Sequence, residues 1–225
     1  MTRDEGISEI ATTIQDTAKK LGDSEATITP DTYLLALKRG LGLFSQLRPR
    51  RVTQTLAVGA TGRIATSSIA GFSETFIHLM RIEYPVIQFG EPRWLDQDDW
   101  QLDTMYGDDG TPAIRFVGVI PAQGQQCRIA HFVAHAVPSS GPASFTVADD
   151  DMPPAISFSV AFGLGMLSNW YKQSSEVVSA GADITTFINK SGLYSAGVKE
   201  HYAAGMQFLR VHAMRRRGNV SIVRG

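Results

Sequence analysis

The histidines His131 and His135 are the first candidates for chemistry in this 225-residue chain. Their H-x3-H spacing places two zinc ligands on one face when the segment is helical. The residues around them alternate in polarity, however, and this pattern predicts a strand. Four residues of strand separate the two imidazoles by about 13 Å, which is too far for both to bind one ion. We therefore predict a half-buried strand face and no metal site.

Three further patterns typical of catalytic or cofactor sites are incomplete, absent or better explained by helix capping. The glycine-rich stretch VGATGRIATS, residues 58–67, resembles a phosphate-binding loop, but the motif requires a glycine where Ile64 stands. The carboxylates of residues 149–151 suggest a magnesium site, yet they precede a predicted helix, where aspartates cap free amides. The chain contains no Gly-x-Ser-x-Gly nucleophile motif. The sequence thus predicts a protein that is not an enzyme and has no catalytic residue, metal or cofactor.

Composition places the chain among cytosolic globular proteins. It is 43% apolar and 19% charged, with a net charge of −1. No apolar run approaches the roughly 18 residues that a membrane span needs, and the acidic N-terminus does not resemble a secretory signal. Cys127 is the single cysteine, so no internal disulfide can form. We expect a protein made in a reducing cytosol, without a membrane partner.

Two helices are predicted before residue 50. Apolar residues recur at helical spacing over about residues 4–21, and the second helix covers residues 28–47, with Thr29 as N-cap and Pro30 in the first turn. Gly40 and Gly42 each weaken that helix by roughly 1 kcal/mol relative to alanine. We infer that their backbone packs closely against another helix or another chain.

The period changes to two between Arg51 and about Val137. We predict a hairpin of residues 51–58 and 62–69, a strand over 74–85 ended by Pro85, and a short helix or turn over 95–102. A second strand pair, residues 112–120 and 126–137, is predicted across the turn at 121–125. The middle of the chain is therefore a small, mostly antiparallel β module.

Helical spacing returns after residue 152. Residues 153–173 are predicted to form one helix, and a long final helix ends at Gly218. The predicted fold class is α+β: a helical bundle of two N-terminal and two C-terminal helices with an inserted antiparallel β module. The predicted boundaries are 1–50 for the N-terminal helices, 51–148 for the β module, 149–217 for the C-terminal helices and 218–225 for a docking tail.

Charge is distributed unevenly along the chain. Residues 91–110 contain seven acids and the single base Arg93, whereas residues 186–225 contain seven bases and the single acid Glu200. The two regions could be independently solvated faces. They could equally make one subunit complementary to the next in a ring held by a heterologous contact.

Several segments together resemble a known family. They are FSQLRPRRV (44–52) after the second helix, GFSETFIHLMRIEYP (71–85), an acidic segment around Trp100, a β hairpin, and PPA (153–155) at the entry to the closing helices. In this order, over about residues 5–215, they resemble the head-to-tail adaptor, or connector, proteins of tailed bacteriophages. The more basic C-terminus, residues 214–225, departs from that family.

The resemblance implies a structural virion protein with no catalytic residues. Such a protein docks on the portal ring and extends the DNA channel to the tail. The implied partners are the portal, tail or further neck proteins, and other copies of the chain in a ring, expected to be a dodecamer. Genome DNA passes through the channel without specific recognition. The implied location is the head–tail junction of the virion, after assembly in the host cytoplasm.

Two alternatives stay open, and the second belongs to a different functional class. One is a tail-side neck or completion protein. The other is a small cytosolic binding module or an enzyme of unrecognised type. An assembly protein should form rings or join portal particles, whereas a free enzyme should be a monomer or dimer.

The arginines around Pro49 are the strongest interface candidates. One or two bases complement the negative end of a helix dipole, but Arg50 and Arg51 lie beyond the last turn. Arginine pairs bidentately with carboxylates, which the acidic segment of a neighbouring copy or the portal offers. An arginine collar would hold DNA phosphates and oppose sliding, so a protein partner is favoured. The predicted interface residues are Arg48, Arg50, Arg51, Asp98, Asp99, Arg215, Arg216, Arg217, Val220 and Ile222.

Overall fold

The computed structural model describes residues 1–21, 23, 28–59, 62–72, 75–103, 112–177 and 184–220, without the side chains of 175–177, 184–187 and 212–220. The chain divides into two compact units. The helical unit is formed by Met1–Leu47 together with His135–Gly225, and the β unit is Arg48–Ala134. The chain therefore enters and leaves the β unit once, as an insertion between two pairs of helices.

The helical unit contains α1 (Arg3–Lys20), α2 (Pro30–Leu47), α3 (Met152–Val177) and α4 (Ile184–Val220) in the part of the chain that the structure describes. The predicted α+β class and the predicted helices are confirmed. Helix α3 contacts each of the other three and supplies much of the core. Its predicted apolar face is buried in full: Ile156, Val160, Leu164, Leu167 and Tyr171.

The glycines of α2 differ in their surroundings. A Cβ atom added at Gly40 would lie 2.5 Å from the Cα atom of Ser159, so α2 and α3 approach here at backbone distance. The prediction of close packing is confirmed for Gly40. A Cβ atom at Gly42 would meet nothing within 4 Å in the part of the chain that the structure describes, so the predicted close approach is not found there.

The β unit contains two antiparallel sheets among the described residues. One has the order β1 (Arg50–Ala57), β6 (Gln126–Val133) and β3 (Phe76–Glu83). The other has the order β2 (Arg63–Ala65), β5 (Ala113–Phe116) and β4 (Trp100–Asp103), and β4 follows a 3-10 turn at Gln97–Asp99. One apolar core includes residues of both sheets, among them Ile64, Ile82, Ile114, Phe116, Cys127 and Ile129.

Both predicted hairpins are wrong. The turns exist, but β1 pairs with β6 over eight residues rather than with β2, and β5 pairs with β2 and β4 rather than with β6. The physical reason is burial. The central strand β6 has five of its eight residues buried, so it takes a neighbour on each side. Turn residues in the sequence do not specify which strands pair with such a central strand.

The segment 135–148 belongs to the helical unit, not to the β module as predicted. The backbone N–H of His135 donates to Ser45 Oγ at 2.9 Å, and its ring lies 5.5 Å from that of Phe44. The backbone of Ser144 forms a β-bridge with Thr2. These contacts tie the returning chain to α1 and α2.

The final helix runs through Gly218 to Val220, so the prediction that Gly218 ends it is wrong. Helix propensity gives the reason, since one glycine costs only about 1 kcal/mol within a long helix. Residues 221–225, including the predicted docking residue Ile222, lie outside the described residues.

Candidate assembly surfaces

Two of the three predicted interface arginines around Pro49 lie at the start of β1, whereas Arg48 precedes the strand and is half-buried. Helix α2 ends at Leu47, as Pro49 predicts, and Arg50 and Arg51 are the first two residues of the strand. Both side chains are exposed, and they point to opposite faces because side chains alternate along a strand. Since they belong to the strand, they do not cap α2. Among the described residues, β1 pairs with β6 alone, so these arginines stand on an edge strand.

The two predicted acidic interface residues have different environments. Asp98 is exposed. Asp99 is half-buried, and its carboxylate accepts a hydrogen bond from the backbone N–H of Asp96 at 3.2 Å. Asp99 therefore stabilises its own turn, and Asp98 is the better candidate for a contact with a partner.

The basic residues of the C-terminal region, 186–225, also differ in their environments. Lys199 and Arg210 are exposed on α4. Lys190 instead donates to the buried Asp23 at 3.1 Å, so its charge serves the fold. The side chains of Arg215, Arg216, Arg217 and Val220 lie outside the described residues, and their predicted role is untested.

Asp23 is the centre of a buried polar network in the helical unit. Its carboxylate is 3% exposed and accepts hydrogen bonds from the hydroxyls of Tyr171 and Tyr194 and from Lys190. Burial pushes the pKa of Asp23 upward, but these hydrogen bonds and the lysine charge outweigh burial, so the pKa lies below its ordinary value. Burial, followed by the hydrogen bond to Asp23, raises the pKa of Tyr194. The network fastens the segment after α1 to α3 and α4.

The loop of residues 85–92, which we call the Phe89 loop, presents an apolar side chain to solvent. Phe89 is 91% exposed. The loop base is closed by backbone hydrogen bonds from Tyr84 N–H to Arg93 O at 3.1 Å and from Leu95 N–H to Ile82 O at 2.8 Å. The buried carboxylate of Glu83 adds a third tie, since it accepts from the backbone N–H of Ile87 at 3.0 Å and pairs with Arg128 at 2.7 Å. Phe89 is thus displayed on a well-fastened loop.

A second exposed apolar segment follows β5. Val117 is 55% exposed and Ile120 is 72% exposed. The backbone of this segment is held by the hydrogen bond from Val117 N–H to Asp99 O at 2.8 Å. Large apolar side chains held in solvent on ordered loops are typical of protein-contact surfaces.

A groove of about 400 Å³ lies on the helical unit between α2, α3 and α4. We call it the helical groove. Its lining is mainly apolar, with one charged residue, Arg39, which is exposed. The residues that line it include Arg39, Leu43, Phe162, Met166, Val198 and Tyr202. It is a concave, largely apolar surface on the same chain as the Phe89 loop.

The residues first considered for chemistry have structural partners. His131 is fully buried, and its Nε2 lies 2.9 Å from the backbone oxygen of Ala70. His135 Nδ1 lies 3.1 Å from Thr146 Oγ1. Burial raises the pKa of Cys127 to about 11, so its thiol is protonated at neutral pH. Within the described ranges, no group of three or more histidine, cysteine or acidic residues is placed to hold a metal ion.

No protein-family model matches the chain, and no curated protein matches it. Among the described helices, none has the length and apolar character that crossing a membrane requires.

Sequence reasoning missed the Phe89 loop, the helical groove and the Asp23 network. A signal for the first was present, because Phe89 is an aromatic residue in a turn-rich stretch that contains Pro85, Gly90 and Pro92. The helical groove joins residues of three helices, and the Asp23 network joins the segment after α1 to α3 and α4. Asp23 and Lys190 are 167 positions apart, so no local pattern connects them.

Proposed function

We propose that this protein is a structural component of a bacteriophage virion, the head-to-tail adaptor that forms a ring on the portal and continues the DNA channel toward the tail. The observation that carries the proposal is the exposure of large apolar side chains on loops of the β unit, above all Phe89 at 91% and Ile120 at 72%. Side chains of this kind lose unfavourable contact with water when copies assemble.

The distribution of charge supports the same proposal. Arg50 and Arg51 are exposed on an edge strand, and Asp98 is exposed elsewhere in the β unit. Opposite charges at separate places suit a contact in which different surfaces of neighbouring copies meet. A ring repeats that contact at every subunit boundary. A contact that is too weak to hold two isolated copies together can therefore still hold the closed ring together.

The arginines provide the test of portal docking. The chain is co-expressed with the portal protein of the same genome, and complexes are examined by size-exclusion chromatography and negative-stain electron microscopy. The proposal expects a ring of this protein stacked on the portal ring.

Charge reversal with Arg50→Glu and Arg51→Glu should weaken this complex or the ring itself. Arg115→Glu, an exposed strand arginine of the same unit, is the matched control and should leave both intact. A genome without a portal gene, or a chain that never joins portal rings, would remove the proposal.

The C-terminal residues are proposed to take part in docking. Deleting residues 218–225 should leave a folded subunit that binds portal rings severalfold more weakly. The preceding arginines steer the segment to an acidic surface, and the residues after Val220, where α4 ends, can gain main-chain hydrogen bonds at a sheet edge of the partner. Unchanged portal affinity after the deletion would exclude this role.

A further inference from the structure

We infer that the Phe89 loop of one copy inserts Phe89 into the helical groove of a second copy, and that this contact joins neighbouring subunits. The inference rests on the proposed function only for the closure of the contact into a ring. The contact itself follows from two surfaces that this chain displays.

The inserting surface is the Phe89 loop. Its aromatic side chain is 91% exposed, while the loop base is held by Glu83 and by the two backbone hydrogen bonds described above. A loop that is already held in place loses little conformational entropy on binding. Most of the favourable free energy of burying its aromatic side chain therefore contributes to affinity. Aromatic anchors of this kind dominate the energetics of many protein interfaces.

The receiving surface is the helical groove. Its volume of about 400 Å³ lies within the range of sites that take compact organic groups. Phe162 and Met166 are partly buried in its wall, and Tyr202 is 45% exposed at its edge. A phenyl ring there gains aromatic contacts with Phe162 and Tyr202 and a sulfur contact with Met166.

Charge favours the Phe89 loop over other occupants. Glu91 follows Phe89 by two residues and is exposed, and the groove is lined by the exposed Arg39. Lys199 is also exposed, next to the groove residue Val198 on α4. Glu91 of the loop can therefore pair with Arg39 of the groove while the apolar anchor is buried beside them.

The contact joins two different surfaces, because the loop belongs to the β unit and the groove to the helical unit. When two copies make the contact in one direction only, one copy keeps an unoccupied groove and the other an uninserted loop, and addition of further copies continues until a ring closes. Reciprocal insertion of two loops would instead close a dimer, which sedimentation velocity distinguishes from a ring.

The first experiment locates the contact. p-Benzoylphenylalanine is placed at position 89, and this chain is mixed with isotope-labelled wild-type chain and irradiated. Mass spectrometry should find cross-links from position 89 to α2, α3 or α4 peptides of the labelled copy. The matched control carries the same probe at position 77, an exposed position on β3 of the same unit, and should not label those peptides. Cross-links within one chain only, cross-links to other surfaces, or none would overturn the inference.

The second experiment measures the energetics by sedimentation velocity over a concentration series. Phe89→Ser should raise the subunit Kd by at least about tenfold, whereas Ile77→Ser, at an exposed apolar residue of the same unit, should change it much less. Glu91→Arg and Arg39→Glu should each weaken association, and the pair together should restore it. Because these residues are exposed, circular dichroism should show unchanged folding. A wild-type chain that stays monomeric, or a Phe89→Ser chain that associates normally, would overturn the inference.

The two proposals fail separately. If copies associate through Phe89 but never join a portal ring, the proposed function is lost and the contact stands. If portal complexes form normally with Phe89→Ser, the proposed function stands and the contact is lost.

Discussion

Replacing Gly40 by alanine tests the closest helix contact in the helical unit. A Cβ atom at this position would lie 2.2 Å from Ser159 Oγ, 2.4 Å from Ser159 N and 2.5 Å from Ser159 Cα. Two of these three atoms are backbone, so a rotamer change of Ser159 cannot relieve the clash. Favourable contact requires about 3.5–4.0 Å between carbon atoms, so α2 and α3 must separate by roughly 1 Å.

The expected magnitude follows from two opposing effects. Alanine in place of glycine stabilises a helix by about 1 kcal/mol. Overpacking a well-packed core costs about 1–3 kcal/mol, and a clash with backbone belongs at the upper end. We expect Gly40→Ala to lower the free energy of unfolding by about 2 kcal/mol, since the packing cost exceeds the gain in helix propensity.

Gly42 is the matched control on the same helix. It is exposed, and a Cβ atom there would meet nothing within 4 Å. Gly42→Ala therefore keeps the propensity gain without a clash and should stabilise the helical unit by about 0.5–1 kcal/mol.

The assay is urea unfolding followed by circular dichroism at 222 nm, with the midpoint and slope fitted for each variant. Thermal unfolding should agree, with a loss of about 4–8 °C for Gly40→Ala and a gain of about 2 °C for Gly42→Ala. If Gly40→Ala stabilises the protein as Gly42→Ala does, then α2 and α3 do not approach at backbone distance and the reasoning is refuted.

Three further perturbations test the remaining features. Asp23→Asn should destabilise the protein by about 2 kcal/mol at pH 7. Because the pKa of Asp23 is depressed in the folded protein, this stabilisation is complete above about pH 4, the pKa of the unfolded chain, and is lost as the pH falls through the folded pKa. Urea unfolding curves of the wild type and the variant should therefore converge at low pH. Glu83→Gln leaves the charge of Arg128 without its buried partner and should cost about 3 kcal/mol by the same assay; an unchanged midpoint would contradict the buried pairing. Asp98→Lys should hinder ring assembly in native mass spectrometry while leaving the melting temperature unchanged, and normal rings would exclude Asp98 from the contact.

The helices were predictable because their signals are local. The apolar period of α3 places Ile156, Val160 and Leu164 on one face, and a face of that width must be buried. Pro49 likewise places the end of α2. These features depend on residues within a few turns of one another.

Strand partners were not predictable in the same way. The chain reverses between β1 and β2, since the backbone N–H of Gly62 donates to Gly59 O at 3.1 Å and Gly62 has a φ of +69°. The partner of β1 is nevertheless decided by burial against β6, about 75 positions later. Turn residues specify where a chain reverses, and they do not specify which strand lies beside it.

The candidate surfaces were predictable only in part. The exposure of Arg50 and Arg51 follows from their place beyond Pro49, but the separate roles of Asp98 and Asp99 depend on one hydrogen bond to the Asp96 amide. The helical groove requires three helices at once, and sequence periodicity describes only one helix at a time.

The central claim is that this chain assembles as a ring on a portal. The most direct measurement is electron microscopy of the chain co-expressed with the portal protein of the same genome, together with native mass spectrometry of the purified complex. The account predicts a ring of identical subunits stacked coaxially on the portal ring. A chain that remains a monomer or dimer beside intact portal rings would contradict it.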